Sequence, residues 1–167
     1  VWLPDLQMMA ARERPGSTAG LYVAAWGGHN AQSHNHNDVG NVIVYADGQP
    51  LLIDVGAPEY TSKTFSPRRY EIWTMQSAWH NLPVVNGVDQ RDGAAFRARE
   101  VAFTPGRDTV RFSLDIAPAY PPEAKLTRWR REVTLDRRRR EVVLAEDWAL
   151  GESREPIRLD FVTPLRA

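Results

Sequence analysis

The segment NVIVYADGQPLLIDVG, residues 41–56, predicts a β-hairpin. Two apolar runs flank Asp47 and Gly48, and an Asp-Gly pair in that position is a strong signal for a two-residue hairpin turn. Apolar residues stand at successive positions in the run before the turn, so both faces of that strand are apolar. Such a strand is expected to be buried on both sides.

Strand-like segments continue on both sides of this hairpin. They are LYVAAWG (21–27), LPVVNGVDQ (82–90), AREVAFTPG (98–106), DTVRFSLDIA (108–117), LTRWRREVTLD (126–136), REVVLAEDWAL (140–150) and PIRLDFVTPL (156–165). In the segment 126–136 apolar and polar residues alternate, and the face that carries Trp129, Val133 and Leu135 also carries Arg131. About eight to ten strands with turn signals every ~10 residues predict an all-β fold. We expect a single antiparallel β-sandwich or jelly-roll-like domain over residues 1–167.

The stretch SPRRYEIWTMQ, residues 66–76, has a different character. Ser66 followed by Pro67 suits the N-cap and the first position of a helix. We therefore predict a short helix or an ordered loop around residues 66–76.

Composition excludes several classes of protein and site. Lys+Arg and Asp+Glu are 21 each, so the formal net charge is zero, and nothing electrostatic favours nucleic acid or an anionic membrane as a partner. The chain has no cysteine, which excludes disulfides and thiolate metal sites. No apolar run approaches the ~20 residues of a membrane span, and the printed residues hold no signal segment. Because the sequence begins without an initiator Met, we expect a piece of a larger protein.

A polar cluster of histidines precedes the hairpin. The segment QSHNHNDVGN, residues 32–41, holds two of the four histidines of the chain. Without cysteine, zinc in proteins is held by His nitrogen and carboxylate oxygen. The candidate ligands are His34, His36, Asp38, Asp54 and His80.

The residues alone leave two metal-binding triads open. His36, Asp38 and His80 follow the order His-x-Asp…His, which suits a two-His-one-carboxylate iron site with open positions. His36, Asp54 and His80 form the other triad, because counting back from the hairpin turn brings Asp54 opposite Asn41, close to His36. A polar loop cluster that binds no metal is the third interpretation, since such side chains also satisfy backbone groups.

The stretch from Ser33 to Gly87 resembles the C-terminal β-domain of heparinase II/III-type polysaccharide lyases. Three separate elements carry the resemblance: the His-Asn-His-Asn-Asp cluster, the Asp-Gly hairpin that ends in Ile-Asp-x-Gly, and the His-Asn pair before a β run. The similarity covers roughly residues 20–90. The remaining segments are similar only as generic β structure.

The resemblance implies a separate role for each histidine of the cluster. His36, Asp54 and His80 would bind zinc or another divalent metal, structural rather than directly catalytic. The first histidine, His34, would face the substrate and take part in catalysis. Asp38 would support the site by orienting a histidine, because it would accept a hydrogen bond from the ring N–H.

The resemblance also implies the reaction and the partners. Such lyases cleave acidic, uronic-acid-containing polysaccharides by β-elimination, and an N-terminal α/α-toroid domain supplies further catalytic residues. We find nothing in these β-rich residues that could form a toroid, so we expect the isolated chain to be inactive. A weaker expectation is that Tyr60 and Tyr70 line the substrate cleft. Family resemblance implies a periplasmic or secreted location.

Two rival functions remain open at the level of sequence. The first is a non-catalytic carbohydrate-binding or structural β-sandwich, because Trp26, Trp73 and Trp79 stand near the histidine segments and exposed aromatic rings can stack on sugars. For these tryptophans we expect packing in the core. The second rival is a jelly-roll non-haem iron oxygenase that uses the triad with Asp38.

Overall fold

The computed structural model describes residues 1–165 and is built from antiparallel strands. The strands are β1 (Trp2–Leu3), β2 (Met8–Arg12), β3 (Leu21–Trp26), β4 (His29–Asn30), β5 (Val42–Ala46), β6 (Gln49–Leu52), β7 (Pro83–Val84), β8 (Gly93–Arg97), β9 (Arg99–Thr104), β10 (Thr109–Asp115), β11 (Leu126–Asp136), β12 (Glu141–Leu150) and β13 (Arg158–Leu159). Single 3-10 turns span Pro4–Leu6, Arg69–Glu71, Trp73–Met75, Ser77–Trp79, Ala117–Ala119 and Pro122–Ala124. No helix of the described residues is long and apolar enough to cross a membrane.

Two main sheets enclose the hydrophobic core. One has the strand order β1-β2-β3-β5-β6 and the other β12-β11-β10-β9, and two further pairs, β13-β7 and β4-β8, complete the described sheets. Buried residues from both main sheets form one cluster, among them Met9 and Val23 of the first and Phe112 and Val133 of the second. The prediction of an all-β, antiparallel fold is confirmed.

The hairpin at residues 41–56 forms at the predicted turn, but its first strand is buried on one face only, because Val42 and Val44 are buried whereas Ile43 and Tyr45 are half-buried. β5 and β6 pair antiparallel, and Ala46 lies opposite Gln49 across the two-residue turn. Asp47 and Gly48 have φ angles of 50° and 77°, the positive values that a type I′ turn requires. The returning strand therefore brings residues 53–54 back to the start of β5.

The segment 66–76 is an ordered loop and not a regular helix. It contains two of the three successive 3-10 turns that span Arg69–Glu71, Trp73–Met75 and Ser77–Trp79. The Oγ atom of Ser66 accepts a hydrogen bond from the Arg68 backbone N–H at 3.1 Å, but the first 3-10 turn begins after Arg68 and has no side-chain cap, so the prediction of Ser66 as its N-cap is wrong. This run of turns delivers His80 beside the hairpin.

Strand β11 ties the second sheet to the loops around the histidine cluster. Trp129, Arg131, Val133 and Leu135 are all buried on its inward face, as the alternation predicted. Arg131 is fully buried, pairs with Glu146 at 2.7 Å, and donates to the carbonyls of Gly40 and Asn81, both at 2.7 Å. A buried cation is stable only with such partners, so these contacts hold both loops at a fixed distance from β11.

Four strands, β1, β2, β4 and β8, form where the sequence pattern did not indicate them, and two of them are longer than two residues. β2 has the sequence MMAAR and β8 has GAAFR. Met and Ala favour helices and Gly weakens a strand, so their local preferences point away from β structure. Backbone pairing with β3 and β4, respectively, overrides those preferences.

Candidate functional site

Four polar side chains converge where the β5–β6 hairpin ends. His36, Asp38, Asp54 and His80 each offer one ligand atom, and these atoms all lie within 4.8 Å of one another. His80 is buried and the other three are partly buried. The structure thus brings together the ligands of both predicted triads.

The strongest geometric feature of this cluster is the ring of His80. Its Nδ1 atom lies 3.0 Å from Oδ2 of Asp54, and its Nε2 atom lies 3.1 Å from the carbonyl oxygen of Thr74. A carbonyl can only accept, so Nε2 carries a hydrogen, and the neutral ring then turns a lone pair toward the carboxylate. Two acceptors this close need a proton or a metal cation between them.

The pKa values of this pair follow from the same contacts. Burial by itself lowers the pKa of His80, but the hydrogen bond to Asp54 and the negative charge of Asp38 outweigh it and raise that pKa above its usual value. For Asp54, burial acts to raise the pKa, and the hydrogen bond and charge of His80 bring it below the usual value. Both shifts show that the pair favours a positive charge at Nδ1.

Asn41 connects the cluster to the hairpin. Its Nδ2 donates to Asp54 Oδ2 at 2.9 Å, which confirms that the hairpin register places Asp54 beside Asn41. Its Oδ1 accepts from the backbone and side-chain nitrogens of Asn81 at 3.2 and 3.1 Å. Asn81, which follows His80, is thereby fixed to Asn41, which precedes β5.

His36 and Asp38 complete the cluster from the polar loop. The His36 ring lies 5.3 Å from the His80 ring, and burial, followed by the positive charge of His80, lowers the pKa of His36. A lowered pKa keeps the imidazole neutral, which is the form that binds metals. Burial, with the nearby carboxylate of Asp54 adding to it, raises the pKa of Asp38 to about 7.

Asp38 has a different partner from the one predicted. Its Oδ2 accepts a hydrogen bond from the indole Nε1 of Trp26 at 3.1 Å, and among residues 1–165 no histidine ring donates to it. Asp38 is thus oriented by Trp26, with a carboxylate oxygen still inside the ligand cluster. Its role, as a supporting residue or as a ligand in the triad with His36 and His80, stays a prediction.

The cluster fits a divalent metal of the zinc type by the chemistry of its donors. Two imidazoles and one or two carboxylates are the ligand set that zinc takes when no thiolate is present. His80 Nε2 donates to the Thr74 carbonyl and Asn41 Nδ2 donates to Asp54, which meets the requirement that ligand side chains be oriented by outer partners. The close approach of His80 Nδ1 and Asp54 Oδ2 requires a proton or a cation, so the cluster could hold a metal ion.

His34 points away from this cluster, on the exposed side of Asn35. It has a φ angle of 59°, which few residues other than glycine adopt. Tyr60 lies beside it, with the ring centroids 6.2 Å apart and the hydroxyl 3.3 Å from Nδ1. Phe65, which the sequence did not single out, meets both rings edge-on.

Tyr70 and Arg69 hold the residue between the two histidines. The Tyr70 hydroxyl donates to Asn35 Oδ1 at 3.1 Å, and Arg69 donates twice to the Asn35 carbonyl, at 2.8 and 3.3 Å. Tyr60 thus lies next to His34, whereas Tyr70 acts on the loop through Asn35. A cleft role for either tyrosine stays a prediction.

The expectation that the nearby tryptophans pack in the core is wrong for two of them. Trp73 and Trp79 are 51% and 49% exposed and meet edge-to-face with their ring centroids 5.0 Å apart. They lie on two successive 3-10 turns of three residues each, and each turn buries at least one other side chain while its tryptophan faces solvent. Trp26 is half-buried and binds Asp38.

Sequence reasoning also missed the residues that support the cluster. Asn41, Asn81, Thr74, Arg131 and Arg69 act through hydrogen bonds to backbone or ligand atoms. One signal was available, because an arginine on the apolar face of β11 requires a buried acceptor. The others lie in loops, where no periodicity marks them.

Comparison with known proteins identifies the family. The family described as Heparinase II/III-like, C-terminal matches residues 4–164. The chain belongs to this family. No curated protein sequence is significantly similar to it.

Solved structures agree on the fold of this heparinase II/III-like chain. "Heparinase III-BT4657 gene product, Methylated Lysines" superposes with a TM-score of 0.69 at 16% identity, over 99% of this chain and 25% of that one. "Crystal Structure of Heparinase III" gives a TM-score of 0.68 at 21% identity, over 95% and 24%. Heparan sulfate lyase HepC from Pedobacter heparinus gives 0.60 at 14%, over 78% and 19%. The chain spans about a quarter of the length of the first two.

Proposed function

We propose that the chain is the metal-stabilised β-domain of a polysaccharide lyase that cleaves uronic-acid-containing glycans by β-elimination. The observation that carries the proposal is the arrangement of the two loop histidines in a chain of this family. His36 turns toward Asp54 and His80, and His34 turns to the exposed side beside Tyr60. One loop therefore offers both a structural anchor and an accessible imidazole.

His34 is the residue of this chain that we assign to catalysis. β-Elimination removes the proton at C5 of the uronate, lets negative charge develop on the carboxylate, and protonates the departing glycosidic oxygen. An imidazole can accept or donate a proton near neutral pH, and it can also stabilise the developing charge as a hydrogen-bond donor. The Tyr60 hydroxyl, 3.3 Å from Nδ1, orients the ring for either role.

His36, Asp54 and His80 would hold the metal, which we assign as zinc or a similar divalent ion. When bound, such an ion cross-links the loop to the hairpin and to the segment before Asn81, and it takes no direct part in the reaction. The ligands themselves are pinned by Thr74 and Asn41. His34 is then preorganised because Asn35 alone separates it from His36.

The remaining catalytic residues would come from an N-terminal α/α-toroid domain in the same protein. The heparinase structures are about four times as long as the matched chain, which supports the view that the β-domain works within a larger enzyme. An acidic polysaccharide is the proposed substrate. We also propose a periplasmic or secreted location, as the family resemblance implies.

The test compares the full-length protein with the 167-residue chain on heparan sulfate, heparin and alginate. The absorbance of the unsaturated uronide should rise with the full-length protein and not with the chain alone. Replacing His34 by Ala in the full-length protein should lower the rate by about 10²–10⁴-fold, the usual contribution of a general acid or base. Full activity in that variant, at unchanged metal content, would overturn the catalytic assignment.

A non-catalytic sugar-binding β-sandwich is the second candidate. The exposed Trp73–Trp79 pair favours it, because two such rings can stack on a sugar. Titration of the chain with neutral and acidic oligosaccharides, in parallel with the elimination assay, separates the two functions. Family membership supports the lyase over the iron oxygenase.

A further inference from the structure

A small cavity of about 290 Å³ opens beside His34. His34, Asn35, Phe65 and Arg69 contribute to its lining, and the other lining residues are polar. Its volume is at the lower end of the ~300–1,000 Å³ typical of small-molecule pockets, so it suits one sugar unit better than a long segment of a polymer.

Arg69 brings a fixed positive charge to this cavity. Three of its five N–H bonds are used, two on the Asn35 carbonyl and one on the Thr64 carbonyl at 2.8 Å. Within residues 1–165 no carboxylate oxygen lies within 4.0 Å of its guanidinium, whereas the neighbouring Arg68 pairs with Glu71 at 3.0 Å. Among the described residues the charge of Arg69 is therefore not compensated by a carboxylate, and the three carbonyl contacts leave part of its guanidinium for another acceptor.

The two backbone carbonyls also hold the guanidinium in place. An arginine normally loses side-chain freedom when it binds a ligand, and that loss weakens binding. Here the side chain is already ordered by contacts with Asn35 and Thr64, two residues that line the cavity. Such a preorganised fork suits a carboxylate or a sulfate.

Phe65 supplies an apolar surface at the same place. It is 68% exposed, with its ring centroid 5.6 Å from His34 and 5.4 Å from Tyr60. An exposed aromatic face beside polar donors suits a sugar ring, which has an apolar C–H face and a polar edge. A guanidinium and an aromatic ring thus line the same cavity as His34.

We propose that this cavity is a subsite for one anionic sugar unit, in which Arg69 binds the carboxylate or sulfate and Phe65 packs on the ring. This inference rests on the proposed function, since it takes a glycan as the ligand. It goes beyond that function by assigning recognition of negative charge to the β-domain itself. Arg69 is the specificity residue, and His34 lies next to the bound unit.

The test measures the binding of defined tetrasaccharides to the 167-residue chain by NMR and by calorimetry. The probes are a heparosan tetrasaccharide with carboxylates only, a sulfated heparin tetrasaccharide, and neutral cellotetraose. Arg69→Gln should weaken the anionic probes about tenfold or more, the effect expected for a lost charged hydrogen bond. Arg68→Gln is the matched control, because it removes the same charge one residue away, and it should change affinity less than twofold.

A readout on the unchanged chain covers the case in which Arg69→Gln does not fold. The Nε–H resonance of Arg69 should shift on addition of an anionic probe, and that of Arg68 should not. Binding of heparosan assigns the anion as carboxylate, and binding of the heparin probe alone assigns it as sulfate. Equal binding of cellotetraose, equal effects of the two arginine variants, or no binding of any probe would overturn the inference. Elimination by the full-length protein is measured separately, so its failure would count against the proposed function and not against this subsite.

Discussion

His80 and Asp54 meet at 3.0 Å between Nδ1 and Oδ2, although 26 positions separate them in the chain. The opposite ring nitrogen of His80 faces the Thr74 carbonyl, which fixes the Nδ1 lone pair toward the carboxylate in the neutral ring. A metal ion at this point would replace the shared proton. The stability of the domain should therefore depend on the metal.

Removal of the metal should lower the melting temperature. Metal at 100 times its Kd stabilises a fold by ~2.7 kcal/mol, which for a domain of this size corresponds to about 5–10 °C. The measurement is a thermal scan of zinc-loaded chain with and without a chelator. The Asp54→Ala variant serves as control, since its melting temperature should not respond to the chelator. Identical scans for the unchanged chain would contradict a stabilising metal.

Two aspartate variants should separate the two predicted triads. Asp54→Ala should lose bound zinc, because it removes the carboxylate that faces His80 Nδ1 at 3.0 Å. Asp38→Ala should retain the metal. Elemental analysis after zinc loading and desalting gives the number of zinc ions per chain. The Asp5→Ala variant, which changes an exposed aspartate, is the reference. The reverse result, metal lost only in Asp38→Ala, would favour the iron-type triad.

Arg131→Met should destabilise the domain strongly. The substitution leaves Glu146 buried without its cation and removes both donors to the loop carbonyls of Gly40 and Asn81. Breaking a buried pair in this way costs about 3–5 kcal/mol. Urea denaturation measures the loss of free energy of unfolding.

The neighbouring Arg130→Met is the matched control for that experiment. Arg130 lies on the outward face of β11 with its side chain 47% exposed. Surface ion pairs contribute about 0–1 kcal/mol, so its loss should change stability little. Similar costs for the two variants would show that the contacts of Arg131 do not hold the loops.

Gly40→Ala should destabilise the domain at the end of the segment 32–41, which carries His34 and His36. Gly40 has a φ of +92°, and an added Cβ would lie 2.6 Å from Cγ2 of the buried Ile116. Backbone strain and overpacking together cost about 2–5 kcal/mol. Gly16→Ala, with a φ of +71° and nothing within 4 Å, should cost only the strain of about 1–2 kcal/mol. Equal losses in urea denaturation would show that contact with Ile116 is unimportant.

Local sequence determined the elements whose geometry depends on near neighbours. The Asp-Gly turn starts the pairing of β5 with β6 at Ala46 and Gln49, and the hairpin returns Asp54 to the vicinity of Asn41 even though the register shifts by one residue between Val44 and Tyr45. The alternation along β11 likewise indicated an inward Arg131. Turn chemistry and side-chain periodicity act over a few residues, so both could be inferred from the printed chain.

Only the tertiary structure decided which distant groups meet. Arg131 binds the Gly40 carbonyl 91 positions away, and β2 becomes a strand because β3 offers it a partner. The exposure of Trp73 and the hydrogen bond from Arg69 to the Asn35 carbonyl also depend on how the 3-10 turns pack in the tertiary structure. These contacts arise from packing and from the need to satisfy buried polar groups, and neither leaves a periodic signal in the sequence.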